Sequence, residues 1–568
     1  MMFRRLLALV SSFAVMMSVP ASGVALSPFA NASLQAAAAR MKAKDYAGAR
    51  EAAKLATPGG AADFVAGMAC AKAGDWEEAA SLLGKAADNF PLLADYALAN
   101  QAQALYRLGR FAEAQAPLEK LRKGYPESSL IRSASLLLAD TLCDRGDFPA
   151  AIKAYQQFIE KYPAGTDALT ALYKLALCRD LAGETTAAAT SLRQIWLNNP
   201  GSPLAAKAEA ELQTIAARGT KTPSYTPEEL FHRAVTLYDL KKYSQAVSAF
   251  KQVPTEGQND EFRERLLLRT GQAFFRARQF REAEQVFTTL RTTATKKGIG
   301  TEAAYWLAKC QDRNGRVDAA VTTYLAVAEK APSSELADDT LLEAAFIRKQ
   351  QKKGAEALAL LKRLVQDYPR SNLRRGAMWE IAWLSYQAGD LTTATDNFRK
   401  LTESDASRER ALYWLGHTLN AAGDATGAKK AFDDLLASYP LGYYAFSYRK
   451  EAQIADSQNL PTPPPPSQIL PVPEGYERIK ALISFGLYEE AGKELAQHRK
   501  KARSEKAIQA IARLYIEMED YNSPLALITR ERPVRSDKDP AYAWGISFPL
   551  AYREAVSKEA AAKGVAEN

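Results

Sequence analysis

The side chains that most often carry out acid–base or metal chemistry are few and scattered in this sequence. The three histidines, His232, His417 and His498, lie far apart along the chain. Carboxylate pairs such as Glu77 and Glu78 belong to helical patterns, where such side chains are normally solvated. The sequence contains no Gly-rich phosphate loop, Ser nucleophile elbow, His-Glu-x-x-His or Cys-x-x-Cys motif. We therefore predict no catalytic residue, no metal ligand and no cofactor on this sequence.

Large aromatic rings are a second candidate for chemistry, because they can stack on sugars. Trp379 and Trp383 stand four residues apart, on one face of a predicted helix. Further rings follow at Tyr413, Trp414, Tyr443 and Tyr444. Such amphipathic rings either bind a glycan or fill the junctions between packed helices, and packing is the commoner role. The sequence leaves both roles open.

Positive charge is a third candidate, with a cluster of arginines in the middle of the chain. Its members are Arg263, Arg265, Arg269, Arg276 and Arg278. They could meet the carboxylates of an anionic polymer, or they could solvate helix surfaces. The net charge of +9 is modest for 568 residues and gives no reason to expect a nucleic-acid partner.

The elements that must position these side chains repeat with a period of about 37 residues. A six-residue phrase recurs, with Gly or a polar residue first, an apolar residue third and Ala sixth. Its clearest copy is Gly74-Asp-Trp-Glu-Glu-Ala79. Other copies begin at Lys44, Gly109, Gly146, Gly183, Lys241, Arg278, Gly315, Lys352, Gly389, Gly423 and Gly486. A period of this size is typical of helix–turn–helix arrays.

Each position of the phrase has a structural reason. The first residue follows the first helix of a pair and needs a left-handed backbone. The Asp that follows it suits the start of the second helix, as at Asp75, Asp147, Asp390 and Asp424. The Ala is small because two helices approach there, and a Pro such as Pro91 or Pro440 ends the second helix. We predict an all-α fold, a right-handed superhelical solenoid of bihelical, tetratricopeptide-like repeats.

The composition, 47% apolar and 24% charged, is that of a globular protein. Residues 1–25 resemble a secretory signal peptide, because Arg4 and Arg5 precede an apolar core that Pro20 ends. We predict export, and no membrane span once this segment is removed. The four cysteines, Cys70, Cys143, Cys178 and Cys310, are predicted to be buried thiols on the first helices of different pairs.

At two places the spacing between successive copies of the phrase is much longer than 37 residues, which suggests how the chain is divided. One contains the loop from Lys221 to Pro227, and the other contains the Pro-rich runs 461–466 and 471–473, which favour an extended connector. The predicted segments are a first helical-repeat arm at 26–220, a second arm at 221–457, a connector at 458–474 and a helical linker region at 475–550.

Three stretches of the C-terminal third are more specific than the repeats. They are Met378 to Tyr386, then Arg410 to Gly416 with Tyr439 to Ala445, then Gly486 to Leu495 with Asp520-Tyr521 and Phe548 to Glu554. In this order they resemble the helical portion of soluble lytic murein transglycosylases. The resemblance extends from about Arg374 to Glu554, and only the general repeat pattern agrees before it.

The resemblance implies a superhelical region followed by a small lysozyme-like catalytic domain. Residues 551–568 would be the start of that domain, and its catalytic Glu is expected beyond Asn568, so that Glu567 is not assigned this role. The complete enzyme would cleave the MurNAc–GlcNAc β-1,4 bond of peptidoglycan to 1,6-anhydro products. The repeats would bind and orient this polymer in the periplasm, and this chain alone is expected to be inactive.

Two other interpretations remain open. Helical-repeat grooves commonly hold peptides or partner helices, so the chain could be an exported scaffold that binds proteins in cell-envelope assembly. It could also be a natural regulatory remnant that competes with an intact relative for the same substrate or partner.

Overall fold

A computed structural model of the chain describes residues 31–440, 442–454, 474–527 and 553–564. All regular structure in these ranges is helical, which confirms the predicted all-α fold. The predicted signal peptide and almost all of the predicted connector lie outside the described residues. None of the helices described combines the length and the apolar character that crossing a membrane requires.

The helices follow one another in antiparallel pairs. The first eight are α1 (Ala32–Lys42), α2 (Tyr46–Lys54), α3 (Gly60–Ala73), α4 (Trp76–Asn89), α5 (Ala94–Arg107), α6 (Phe111–Gly124), α7 (Ile131–Asp144) and α8 (Phe148–Lys161). The next eight are α9 (Thr166–Leu181), α10 (Thr185–Asn198), α11 (Pro203–Ala217), α12 (Pro227–Asp239), α13 (Tyr243–Lys251), α14 (Asp260–Arg276), α15 (Phe280–Thr293) and α16 (Lys297–Arg313).

A third group continues the array to residue 451. It comprises α17 (Val317–Lys330), α18 (Ala337–Gln350), α19 (Gly354–Asp367), α20 (Arg374–Gln387), α21 (Leu391–Leu401), α22 (Asp405–Ala421), α23 (Ala425–Ser438) and α24 (Tyr443–Glu451). The C-terminal helices are α25 (Glu477–Ser484), α26 (Tyr488–Lys501), α27 (Glu505–Glu517), α28 (Asn522–Ala526) and α29 (Arg553–Lys563).

The chain forms two compact units. Residues 1–154 and 463–568 form one, named here the terminal unit, and residues 155–462 form the other, the central unit. The predicted boundary between two arms at residue 220 does not coincide with a boundary of these units, and the arms stay a prediction.

The predicted turn geometry is confirmed at all twelve copies of the phrase. The first residue of each copy has a positive φ, from 60° at Lys44 to 91° at Gly74. Four copies place Lys or Arg there, where an L side chain costs about 1 kcal/mol or more. The sequence pattern missed further turns of this type, among them one at Glu519 with a φ of 61°, although Asp520 and Tyr521 continue the phrase there.

The other positions of the phrase behave as expected with one exception. The Ala side chains are buried in every pair, for example at Ala79 and Ala394. Asp390 and Asp424 cap their helices by accepting hydrogen bonds from backbone N–H groups. Asp75 lies at the predicted cap position but makes no capping bond, because its carboxylate pairs with Arg50 at 3.1 Å.

A small residue of the first helix packs against a large residue of the second helix, sixteen positions later. A Cβ atom placed on Gly416 would lie 2.5 Å from Cζ of Phe432, and one placed on Gly271 would lie 2.7 Å from the ring of Phe287. Ala382 and Phe398 hold these positions in another pair, and both are fully buried. These three pairs therefore share one small-to-large contact at the same positions of the repeat.

An aromatic stack holds the irregular loop before α12. The ring of Tyr225 stacks on Trp196 with centroids 4.5 Å apart. The guanidinium of Arg193 lies 4.0 Å from the centroid of Tyr225, and that of Arg233 lies 3.9 Å from the centroid of Trp196. Arg193 also donates hydrogen bonds to Pro223 O and to the carboxylate of Glu229. The loop is thus anchored to α10 and α12.

Replacing Tyr225 with Ala should loosen this loop. The variant loses a stacked ring pair and a cation–π contact, together worth about 2 kcal/mol. We expect faster amide hydrogen exchange in the first turns of α12, whereas Tyr225→Phe, which keeps the ring, should exchange at the native rate. Equal exchange rates in the Ala variant and the native protein would contradict this role for the stack.

The C-terminal helices pack on the N-terminal repeats inside the terminal unit. Phe485, after α25, contacts the rings of Phe64 and Phe90, with both centroid distances at 6.1 Å. Gly486 approaches α1 so closely that a Cβ atom would lie 2.3 Å from Ala38 O. The sequence analysis did not predict this association, which joins segments about 400 residues apart in the chain.

The same packing includes a buried ion cluster. Arg478 donates to both carboxylate oxygens of Asp95, at 3.0 and 2.8 Å, to Glu494 at 2.8 Å and to Leu92 O at 2.8 Å. Burial opposes the charge on Arg478, but its hydrogen bonds to Glu494 and Asp95 outweigh burial and raise the pKa of the guanidinium. Lys72 pairs with Glu490 at 2.8 Å nearby.

The predicted cysteine positions are confirmed, with one difference in burial. Cys70, Cys143, Cys178 and Cys310 are thiols on α3, α7, α9 and α16. Three of them are buried and Cys143 is half-buried. Burial raises the pKa of the Cys70 and Cys310 thiols to about 12, so that neither is a thiolate at neutral pH.

Candidate functional site

Five of the six aromatic residues predicted from the sequence form one continuous strip in the central unit. They lie on α20 and α22, the first helices of two consecutive pairs, and on α24, and they are Trp383, Tyr413, Trp414, Tyr443 and Tyr444. Because successive pairs stack on one another, the first helix of each pair lies beside the first helix of the next pair. Rings at corresponding heights on these helices therefore meet.

Ring contacts run the length of this aromatic strip. Trp383 meets Trp414 edge-to-face at 4.6 Å, and Trp414 meets Tyr413 at 5.4 Å. Tyr413 contacts Tyr444 at 5.3 Å, and Tyr444 contacts Tyr443 at 5.2 Å. Three of these four contacts are edge-to-face, a geometry that aromatic pairs favour, so the rings hold one another in place.

Exposure changes sharply along the strip. Tyr413 is 9% exposed and belongs to the hydrophobic core, whereas Tyr443 is 73% exposed. Trp383, Trp414 and Tyr444 are half-buried. Phe446, one turn after Tyr443 on α24, is also exposed. Packing is thus the role of Tyr413, while Tyr443 presents most of its ring to solvent.

Polar groups accompany the rings. The Tyr413 hydroxyl donates a hydrogen bond to Glu451 at 2.5 Å, and Nε2 of His417 lies 3.2 Å from the other carboxylate oxygen of Glu451. Burial and this bond to Glu451 raise the pKa of the Tyr413 hydroxyl. The backbone N–H of Tyr444 donates to Glu409 at 3.0 Å. The carboxylate of Glu451 is partly exposed and can accept further hydrogen bonds.

Trp379 makes separate contacts from Trp383, although both lie on α20. Its ring packs edge-to-face on Phe398 at 5.3 Å, and the guanidinium of Arg410 lies 4.0 Å from its centroid. Trp379 therefore contributes to the core between α20 and α21 and is not joined to the strip.

Sequence reasoning missed several members of the site. Tyr386 stacks on Trp383 at 5.9 Å and is three residues away on the same helix face, a spacing that could have indicated it. His417 follows Tyr413 by one helical turn and contacts its ring at 4.5 Å. Glu451 lies at the end of α24, and nothing in the local sequence marks it as a partner of Tyr413.

The arginines that could meet an anionic polymer are largely engaged within the chain. Arg265 pairs with Glu228 at 2.7 Å and lies over the ring of Phe231. Arg276 lies over Trp306, and Arg278 occupies a turn position with a φ of 64°. Contacts within the chain thus engage these three arginines. Among the described residues, no three His, Cys, Asp or Glu side chains are grouped to hold a metal ion.

Comparisons with known proteins agree with the repeat pattern. Two profiles described as tetratricopeptide repeat match the chain, one at residues 268–335 and 379–443 and the other at 170–202 and 339–371. A third, described as the N-terminal domain of the T7SS ESX-1 secretion system protein EccA1, matches residues 10–178. None of the curated proteins matches the chain in sequence.

Among solved structures, the 70 kDa soluble lytic transglycosylase Slt70 from Escherichia coli superposes with a TM-score of 0.53. The match has 13% identity and covers 89% of this chain and 75% of that chain. The two chains share a fold. The predicted resemblance to soluble lytic transglycosylases is thereby confirmed at the level of the fold. An inactive mutant of the lytic transglycosylase Slt from Pseudomonas aeruginosa matches with a TM-score of 0.45 and 16% identity, over 84% of this chain and 71% of that chain.

Proposed function

We propose that this chain is the non-catalytic, glycan-binding helical part of an exported lytic transglycosylase that acts on peptidoglycan in the periplasm. The observation that carries the proposal is the fold shared with Slt70 over 89% of the chain, because that match takes in far more than a few generic repeats. The proposal assigns binding to the described residues and assigns bond cleavage to none of them. Helix α29 would then be the opening helix of the catalytic domain.

The aromatic strip is the best candidate for the glycan contact. Sugar rings present apolar C–H faces and hydroxyl edges, so they suit a surface that combines aromatic rings with hydrogen-bonding groups. The exposed ring of Tyr443 supplies the first, and the partly exposed carboxylate of Glu451 supplies the second. Tyr444 packs against the ring of Tyr443, and the hydroxyl of Tyr413 binds Glu451, so the packed strip holds both groups in place.

Replacing Tyr443 with Ala should weaken glycan binding with little effect on folding. An exposed stacking ring contributes about 1 kcal/mol, which corresponds to roughly a fivefold loss of affinity. Titration with a soluble N-acetylglucosamine tetrasaccharide, followed by tryptophan fluorescence, measures the change because Trp383 and Trp414 belong to the same strip of contacting rings.

Leu181→Ala is the matched control, since Leu181 is also an exposed apolar side chain of the central unit but lies on α9. It should bind the tetrasaccharide like the native protein. A Tyr443→Ala variant with native affinity would refute the aromatic strip as the glycan contact.

A protein-binding scaffold is the second candidate, and the tetratricopeptide-repeat matches favour it. In that case a stoichiometric protein partner from the cell envelope would be recovered with the chain, and insoluble peptidoglycan would leave it in solution. Recovery of both a partner and bound peptidoglycan would assign the two roles to different surfaces.

A further inference from the structure

A cavity in the terminal unit has the features of a second binding site. It lies between the loop that joins α6 to α7 and the helices α25 and α26, and its volume is about 490 Å³. That size falls within the range of about 300 to 1,000 Å³ that small-molecule sites usually have. It is far larger than a single ion requires.

The floor of the cavity is charged, buried and internally satisfied. Asp95 and Glu494 are 1% and 6% exposed, and Arg478 binds both carboxylates. Ser128 donates a further hydrogen bond to Asp95 at 2.5 Å. These groups fix the positions of the surrounding loop and helices, so that the cavity is preorganised before any ligand enters.

The rim differs from the floor because two of its charged residues have no partner among the described residues. Glu127, on the loop, and Lys501, at the end of α26, both line the cavity and are exposed. Neither side chain forms an ion pair or hydrogen bond with another described residue. Pro126 adds exposed apolar surface to the lining, whereas Ile479 is fully buried. The cavity thus offers one anionic and one cationic contact beside apolar surface.

We propose that this cavity binds a short peptide with free ionic groups, through an ammonium on Glu127 and a carboxylate on Lys501. Charge-assisted hydrogen bonds of this kind are about twice as strong as neutral ones, and opposite charges at two ends fix a peptide's orientation. This inference rests on the proposed function, in which the ligand is the peptide component of peptidoglycan. A neutral saccharide would use neither rim charge.

The test uses the tripeptide Ala-Glu-Lys with free termini as the probe and isothermal titration calorimetry as the readout. We expect saturable binding to the full chain, and at least a fivefold loss of affinity in Lys501→Gln and in Glu127→Gln. Lys500→Gln is the matched control, since Lys500 is the exposed neighbour of Lys501 but does not line the cavity. It should bind the tripeptide with native affinity.

Three results would overturn the inference. They are no saturable binding of the tripeptide, equal affinity for Ala-Ala-Ala with acetylated and amidated ends, which carries no charge, and an equal loss in Lys500→Gln. The double variant Glu127→Gln, Lys501→Gln should retain native affinity for the N-acetylglucosamine tetrasaccharide. If the tripeptide does not bind but the glycan binds with native affinity, only the proposed role of the cavity is refuted. If the glycan does not bind but the tripeptide does, the proposed function is refuted.

Discussion

Arg478→Met is expected to release α25 and α26 from the N-terminal repeats of the terminal unit. The substitution leaves the buried carboxylates of Asp95 and Glu494 without their shared cation, and removing one partner of a buried ion pair costs about 3 kcal/mol or more. Because Arg478 is partly exposed, we take the lower end of that range. The expected result is roughly 100-fold faster amide exchange in both helices, with no change in α20 to α23.

The expected loss is large because the carboxylates of Asp95 and Glu494 are buried. An exposed ion pair provides the control. Lys42 and Glu519 also join the two chain segments, at 2.7 Å, but both side chains are about half exposed. Lys42→Met should therefore cost less than 1 kcal/mol. Replacing Arg478, Asp95 and Glu494 together with apolar residues should restore much of the loss, since no uncompensated charge remains. Equal exchange in the Arg478 and Lys42 variants would contradict the account of this cluster.

Gly416→Leu is the second substitution with a large expected effect. A Cβ atom at this position would lie between 2.5 and 2.7 Å from three ring atoms of Phe432. That ring cannot move aside easily, because it is buried and stacks on Tyr448 with centroids 3.8 Å apart. Overpacking of this kind costs about 3 kcal/mol. We expect a lower midpoint of guanidinium unfolding for the central unit and weaker tetrasaccharide binding, since α22 and α24 carry the aromatic strip.

Gly376→Leu is the matched control for this substitution. Gly376 is also helical, on α20, but no atom lies within 4 Å of the Cβ position. A better helix former there should be neutral or slightly stabilising, by up to about 1 kcal/mol. The double variant Gly416→Ala, Phe432→Leu replaces the ring with a smaller side chain. It should therefore recover most of the stability that Gly416→Leu loses. A stable Gly416→Leu protein, or a double variant no better than Gly416→Leu, would contradict the small-to-large contact.

The repeat architecture could be predicted from the sequence because its rules are local. The residue after each first helix must adopt a left-handed backbone, and the register of the phrase indicated this even where Lys352 or Arg278 stands in place of Gly. The buried Ala of each phrase follows from the close approach of two helices in the same pair. Short-range spacing contains all of this information.

The packing of α25 and α26 on the N-terminal repeats could not be predicted in this way. It depends on contacts such as that between Arg478 and Asp95, which are 383 residues apart and have no shared local pattern. Phe485 contacts Phe64 and Phe90, but its local sequence indicates only an ordinary core residue. The cavity beside Arg478 exists only because of this long-range association, so no motif marks it.

The candidate site was predictable in part. The sequence marked the rings of the aromatic strip, but it could not separate Tyr413, which is buried, from Tyr443, which is exposed. That difference depends on Glu451 and on the position of α24 beside α22, since Glu451 binds the Tyr413 hydroxyl. Trp379 was grouped with Trp383 on helical spacing alone, yet it packs on Phe398 in the core.

The most direct test of the central claim is sedimentation of the chain with purified peptidoglycan sacculi, combined with chromatography of the soluble fraction. The account predicts that the bound fraction rises to saturation with the amount of sacculi, that Tyr443→Ala needs more sacculi for half-binding, and that no 1,6-anhydro product is released. A chain that stays in the supernatant at every amount of sacculi, or that releases anhydro products in proportion to its dose, would contradict it.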